Sequence, residues 1–146
     1  MSGPLGRPAG PGPLGSPGRP ATCPCGSRAS YDACCGPLLA GARLAATPLE
    51  LMRSRYTAFA VGGREGLDHL FRTWHPRTRP PRLVEDGLDT DRTWTRLEVL
   101  GHGADLVEFD AHYARLDGTA GVQHEHSLFA QRAGRWMYVE AAPDTP

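Results

Sequence analysis

Apolar residues between positions 47 and 74 recur at intervals of three and four, which is typical of amphipathic helices. The segment Thr47-Pro48-Leu49-Glu50 predicts a helix start, because threonine caps an amide, proline fits the first turn and glutamate completes a capping box. The helix predicted over 48–61 presents one apolar stripe to a core: Leu49, Met52, Tyr56, Phe59 and Ala60.

A second helix is predicted over about 64–73, after Gly62-Gly63 ends the first. His75-Pro76 ends this second helix, because the residue before a proline avoids the α region. Residues 76–91 are rich in proline and charge, and they predict a loop with a short strand near Leu83-Val84. The apolar stripe of the second helix comprises Leu67, Leu70, Phe71 and Trp74.

From residue 93 onward apolar and polar positions alternate, which indicates strands. Strands are predicted over 93–100, 107–113, 122–131 and 136–141, with short turns between them. Short turns predict an antiparallel meander. Two helices packed on a curved four-stranded antiparallel sheet make an α+β fold.

All four cysteines of the chain lie in one short segment, as Cys23, Cys25, Cys34 and Cys35. Thiolates are soft ligands, and two short pairs separated by a loop suit a tetrahedral zinc ion. A disulfide within either pair is strained, and unliganded thiols this close together are open to oxidation. The spacing therefore favours one structural zinc, with cross-paired disulfides as the alternative.

The segment 23–36 resembles the SEC-C motif, the zinc-binding tail of the SecA translocation ATPase. Residues 48–59, Thr73-Trp-His-Pro76, Glu125-His-Ser-Leu-Phe129 and Gly134-Arg-Trp-Met-Tyr138 are similar to the YchJ family, uncharacterised bacterial proteins. The resemblance implies a SEC-C zinc knuckle followed by a nuclear transport factor 2-like (cystatin-like) domain. The domains predicted on this basis are a disordered leader over 1–22, the knuckle and connector over 23–45, the nuclear transport factor 2-like domain over 46–142, and a tail over 143–146.

Composition and charge bear on the size, location and charged partners of the protein rather than on its chemistry. A chain of 146 residues with zero net charge fits one modest domain plus an appendage. No apolar run reaches the roughly 20 residues that span a bilayer, and no secretory h-region is present, so we expect no membrane span and a cytoplasmic location. Residues 1–82 carry eleven Arg and four acids, whereas residues 83–146 carry five Arg and twelve acids. Neutralisation within the fold is favoured over binding of nucleic acid or a ribosome, which remains the weaker alternative.

The connector over 36–46 is apolar, unlike a flexible tether. Leu38, Leu39 and Leu44 are therefore expected to dock on the main domain and hold the knuckle rigidly. A four-thiolate zinc centre carries a formal charge of −2, so nearby cations are expected to offset it. Arg28 and Arg43 are the nearest candidates along the chain.

A sheet curled around a helix leaves room for a pocket, and its candidate residues are Tyr56, Trp74, His75, Glu125, Trp136 and Tyr138. Glu125 shares a strand face with Phe129, so its carboxylate needs a partner, for which Arg53 and Arg55 are candidates. A general base is the alternative role for Glu125. His124 and His126 share the other strand face as a possible metal pair, for which the sequence shows no third ligand.

No catalytic constellation is visible, so a non-enzymatic role is favoured and the enzyme question stays open. The leading functional hypothesis is an adaptor that binds a protein partner through the zinc knuckle. The alternative is a small-molecule-binding or enzymatic pocket in the nuclear transport factor 2-like domain. The oligomeric state stays open.

Overall fold

The computed structural model describes residues 20–143, and its elements confirm the predicted α+β fold. Most of the predicted leader, and the tail after residue 143, lie outside the described residues. A 3₁₀ turn over Tyr31–Ala33 precedes four helices, α1 to α4, and four strands, β1 to β4. The helices are α1 Gly36–Leu39, α2 Pro48–Val61, α3 Gly63–Thr73 and α4 Leu83–Asp86. The strands are β1 Arg92–His102, β2 Leu106–Arg115, β3 Ala120–Arg132 and β4 Arg135–Ala141.

The four strands form one antiparallel sheet in chain order, which is the predicted meander. Strand β2 pairs with β1 and β3 in registers that place Phe109 opposite Val99 and Glu125. The inner face of the sheet packs against α2, and Val107 and Phe129 are among its buried residues. Strand alternation sends Glu108 and His126 to the opposite, outer face.

Helix α2 begins as the sequence predicts, because Thr47 Oγ1 accepts a hydrogen bond from the Glu50 amide at 3.1 Å. The Glu50 carboxylate completes the start by accepting from the Ala46 amide at 2.7 Å. The helix ends at Gly62, whose φ of 64° lies in the left-handed region that favours glycine.

The predicted stripe of α2 is only partly right, because Phe59 is 38% exposed. Helix α2 contacts α3 on one side and the sheet on the other, so its burial spreads around the helix. Leu51 and Ala58 are buried although they lie off the predicted stripe. The Phe59 ring lies 6.4 Å from the ring of Trp94 in β1, measured between centroids.

Helix α3 buries Gly66, His69 and Leu70, a face shifted from the predicted one. Phe71, predicted to be in the core, is 38% exposed and lies under the guanidinium of Arg79, 3.9 Å from the ring centroid. Gly66 lies against the backbone of Ala58, where a β-carbon would collide with the carbonyl oxygen. This close contact between helices sets the rotation of α3.

The predicted strand near Leu83-Val84 is wrong, because the structure has helix α4 there. Helix α1 also begins beside a proline, at Gly36-Pro37. A proline in or just before the first turn fits a helix, since the first amides have no partner within the helix. Pro81 precedes α4 in this way, and Gly87 ends it with a φ of 69°.

Candidate metal centre and internal cavity

Ligand atoms of Cys23, Cys25, Cys34 and Cys35 lie within 4.8 Å of one another. The Sγ atoms of Cys25 and Cys34 are 3.6 Å apart, and those of Cys34 and Cys35 are 4.0 Å apart. Four thiolates at about 2.3 Å from a tetrahedral ion have sulfurs about 3.8 Å apart. The cysteines form no disulfide, and their spacing fits a single four-coordinate metal ion.

The neighbouring thiols perturb one another strongly. Hydrogen bonds from Cys23 and Cys35 lower the pKa of Cys25. The hydrogen bond with Cys23 raises the pKa of Cys35, and burial raises the pKa of Cys34. A divalent cation would displace the thiol protons and let all four sulfurs bind as thiolates.

Polar groups around the cysteine cluster suit a negatively charged centre. Ser27 Oγ lies 3.1 Å from Cys34 Sγ, and Thr57 Oγ1 of helix α2 lies 3.8 Å from Cys23 Sγ. Arg53 of α2 donates a hydrogen bond to the Cys25 carbonyl at 2.7 Å. Arg43, expected to approach the metal, instead bonds Glu50 at 2.7 Å.

The knuckle is part of the core of the molecule. Cys23, Cys25, Cys35 and Tyr31 belong to one buried cluster with the residues of α2, α3 and the sheet. The hydroxyl of Tyr31 donates a hydrogen bond to the Glu65 carboxylate in α3 at 3.0 Å.

The connector also docks on the main domain, as the sequence predicts for two of its three leucines. Leu38 and Leu39 are buried, and Arg72 of α3 donates a hydrogen bond to the Leu39 carbonyl at 2.8 Å. Leu44 is 56% exposed, so its predicted docking is wrong. The buried leucines of the connector lie in α1, and Ala45 packs partly buried against the core.

A cavity of about 300 Å³ lies between α2 and the inner face of the sheet. Four of the six predicted pocket residues line it, namely Tyr56, Trp74, Glu125 and Tyr138. His75 and Trp136 do not line it. The His75 amide donates to the Tyr138 carbonyl at 2.8 Å, and Trp136 lines a smaller cleft beside α1. The other cavity residues are Met52, Arg55, Phe59, Leu88, Asp89, Arg92, Trp94, Phe109, Ala111, Gln123, Ser127 and Phe129.

Arg55 is the buried cation of this cavity. Its guanidinium lies 4.7 Å from the Trp74 ring centroid and 4.5 Å from that of Tyr138. Nη1 donates hydrogen bonds to the Leu70 carbonyl at 3.2 Å and to Thr73 Oγ1 at 2.8 Å. Burial lowers the pKa of Arg55 to about 10, so the side chain stays charged at neutral pH.

Glu125 is held by hydrogen bonds rather than by the predicted ion pair. Its carboxylate accepts from Ser127 Oγ at 2.7 Å, from the Tyr138 hydroxyl at 3.0 Å and from Gln123 Nε2 at 3.4 Å. Arg55 acts on Glu125 through space, with the Tyr138 ring beside both groups. Burial raises the pKa of Tyr138, which keeps its hydroxyl a donor to Glu125.

Sequence reasoning missed the cavity residues at the start of the sheet and one buried histidine. Arg92 of β1 donates to Gln123 Oε1 at 3.0 Å and lies 3.7 Å from the Asp89 carboxylate. His69 of α3 is buried, with Nε2 2.8 Å from Ser54 Oγ. The helical spacing of His69 from Gly66 and Leu70 could have indicated its burial, whereas Arg92 gave no local signal.

The fold and the cysteine cluster are those of a class of proteins in which a SEC-C motif is joined to a nuclear transport factor 2-like domain. Residues 19–37 match the SEC-C motif, and residues 47–141 match the family described as YchJ, middle NTF2-like domain. The chain belongs to this family of bacterial UPF0225 proteins. Within residues 20–143, no helix is long and apolar enough to cross a membrane.

Individual relatives resemble the chain over most of its length. A UPF0225 protein of Deinococcus radiodurans is 43% identical over 139 residues, which cover 94% of this chain and 99% of the relative. A UPF0225 protein of Streptomyces avermitilis is also 43% identical, with 84% of each chain covered.

Two solved structures have the same fold. The solution structure of a SEC-C motif containing protein from Rhodopseudomonas palustris has a TM-score of 0.69 and 36% identity, covering 85% of this chain and 99% of that one. The crystal structure of a SEC-C motif containing protein from Psychrobacter arcticus has a TM-score of 0.58 and 24% identity, which supports the fold alone. It covers 86% of this chain and 85% of that one.

Proposed function

We propose that this protein binds a small organic ligand in the cavity between α2 and the sheet. The observation that carries the proposal is a cavity of about 300 Å³ that keeps a buried cation, Arg55, among aromatic rings. Ligand sites in proteins are of this size and kind, with apolar walls and a few placed polar groups.

Zinc is the metal we propose for the knuckle, with Cys23, Cys25, Cys34 and Cys35 as its ligands. Four thiolate ligands leave no position for a water molecule, so zinc would supply folding energy rather than hydrolytic chemistry. The sulfur spacing and the absence of disulfides among these cysteines support the proposal. Unpaired thiols favour a reducing compartment, and on that ground we place the protein in the cytoplasm.

The chemistry of the cavity favours a flat ligand that carries an anionic or strongly accepting group. Tyr56, Trp74 and Trp94 provide aromatic walls. Within residues 20–143, the hydrogen bonds of the Arg55 guanidinium are both donated by Nη1. The N–H groups on the other guanidinium nitrogens are therefore available to an acceptor. Glu125 already accepts three hydrogen bonds, so its part is to orient Tyr138 and Ser127 rather than to act as a base.

A matched pair of probes tests this function by ¹⁵N-resolved NMR titration: indole-3-acetate and the neutral indole-3-acetamide. We expect saturable shifts at the amides of cavity residues, with the acetate bound more tightly. Ala111→Phe fills the cavity and should weaken binding about tenfold or more, a loss of about 1.4 kcal/mol. His75→Ala, outside the cavity, should leave binding unchanged. Shifts that do not saturate, or that persist in Ala111→Phe, would refute a ligand site here.

A second candidate function is the adaptor role, in which the knuckle binds a protein partner. One observation favours it: Arg28 is exposed in the knuckle loop with a φ of 72°, a strained conformation for a residue other than glycine. An exposed strained residue beside a metal centre is a reasonable contact for an acidic partner surface.

The test of the adaptor role is capture of partners from a bacterial lysate with wild-type protein and with Arg28→Glu, which spares the buried cysteines. Partners lost in the variant would support the knuckle as the contact, and ribosomal proteins or RNA among them would identify the weaker alternative. Identical sets of partners would remove the knuckle loop from this role. The oligomeric state can be measured on the same samples by light scattering.

A further inference from the structure

The outer face of the sheet carries a second group of side chains with metal-binding chemistry. The register of β2 and β3 places Glu108 opposite His126 and Asp110 opposite His124. Strand alternation puts all four side chains on the face away from the cavity and the knuckle. The histidine pair therefore has the third ligand that the sequence did not show, supplied by the neighbouring strand.

The Glu108 carboxylate lies between the two imidazoles. Its Oε2 is 3.1 Å from His124 Nε2, and its Oε1 is 3.3 Å from His126 Nε2. One ligand atom from each of the three residues lies within 4.8 Å of the others. The side chains are 32% exposed for Glu108, 40% for His124 and 37% for His126, which leaves further coordination positions open to water.

Asp110 fixes the orientation of one of these imidazoles. Its Oδ1 lies 2.7 Å from His124 Nδ1, a distance typical of a hydrogen bond from the ring N–H to the carboxylate. A neutral His124 with its proton on Nδ1 would point the lone pair of Nε2 at the Glu108 carboxylate, an arrangement that calls for a metal ion or a second proton between them. A carboxylate that bonds the far nitrogen of a metal-bound histidine is the arrangement seen around protein metal sites.

We propose that Glu108, His124 and His126 bind a divalent transition-metal ion on the outer face, with Asp110 as a positioning residue. Two imidazoles and one carboxylate suit Zn²⁺, Fe²⁺ and Ni²⁺ better than Ca²⁺ or Mg²⁺, which prefer sites made of oxygen alone. This site differs from the knuckle, where four sulfurs fill the coordination sphere. Its remaining positions are open, so the ion would be able to exchange or to bind a further ligand.

Zinc titration followed by calorimetry at pH 7.5 tests the site in protein whose knuckle is already loaded with zinc. We expect one additional equivalent to bind, and we expect His124→Ala or His126→Ala to abolish it. Asp110→Asn should keep the stoichiometry and weaken the affinity about 10–100-fold, because it disturbs only the orientation of His124. His112→Ala is the matched control, since His112 lies on the same face and contacts Glu98 and Arg96 instead.

The imidazole resonances give a second readout that does not depend on the heat of binding. Zinc should perturb the ring nitrogens of His124 and His126 and leave those of His112 unchanged. The alternative occupant is a second proton on His124, which would also satisfy Glu108. If no additional zinc binds, or if binding survives both His124→Ala and His126→Ala, the proposal is wrong and the cluster is only a protonated ion pair.

Discussion

The buried histidine in α3 makes the stability of the protein depend on pH in a defined direction. His69 Nε2 lies 2.8 Å from Ser54 Oγ, and the charges of Arg55 and Arg72 lie nearby. Burial, with a further effect from these two arginines, lowers the pKa of His69 to about 3. The imidazole is therefore neutral in the folded protein throughout the mildly acidic range.

The sign of this pH dependence follows from how many protons the folded and the unfolded protein bind. In the unfolded chain the pKa of a histidine is about 6.5, so below that pH unfolding takes up a proton. The free energy of unfolding is unaffected by His69 above about pH 6.5 and falls as the pH drops toward 3. Each pH unit between these two pKa values changes the free energy of unfolding by about 1.4 kcal/mol. Lowering the pH from 6.5 to 5 should therefore reduce the free energy of unfolding by up to about 2 kcal/mol.

Urea unfolding at pH 7.5 and pH 5.0 measures this loss in wild-type protein and in His69→Gln, whose side chain does not titrate. Metal release and carboxylate protonation act on both proteins, so the readout is the difference between their pH dependences rather than either stability. We expect wild-type to lose up to about 2 kcal/mol more than the variant. Equal losses, or a His69 imidazole resonance that titrates near pH 6.5, would refute this argument.

Three further outcomes test how the knuckle and the helices are packed. Removing the metal with a chelator should lower the Tm of the whole protein, because the cysteines are part of its core; a body transition that stays in place would contradict this. Tyr31→Phe should lower the free energy of unfolding by about 1 kcal/mol, because it removes the hydrogen bond to Glu65. Tyr31→Ala should lower it by about 3–5 kcal/mol, because it also removes the packing of the buried ring. Equal losses in urea unfolding would mean that the ring is not buried. Phe59→Ala should cost less than about 2 kcal/mol, since its ring is 38% exposed, and a larger loss would show that it belongs to the core.

The sequence predicts those parts of the fold that depend on neighbouring residues. Thr47 and Gly62 mark the ends of α2 through local hydrogen bonds and backbone conformation, and the structure agrees on both. Alternation in β3 separates Glu125 from His126 correctly, because a strand has only two faces. The cysteine cluster is predictable for the same reason, since its four cysteines are close in the chain.

The remaining features depend on contacts between distant parts of the chain. Phe59 and Phe71 lie on apolar stripes, yet the close contact of Gly66 with Ala58 rotates the helices and leaves both rings partly exposed. Glu108 becomes a neighbour of His124 only through the register of β2 and β3. No local pattern encodes a register, so the sequence does not show that Glu108 lies beside the two histidines.

The docking of the knuckle has a consequence for how the protein is made. Cys23 and Cys25 leave the ribosome before residues that contact or pack with them in the fold, Thr57 in α2 and Leu97 in β1. At about 5–20 residues per second, the synthesis of residues 26–97 takes roughly 4–14 s. During that interval the thiols lack the core that later buries them, and a bound metal ion would protect them against oxidation. Early metal capture would thus guard the nascent chain before it contributes to the stability of the finished protein.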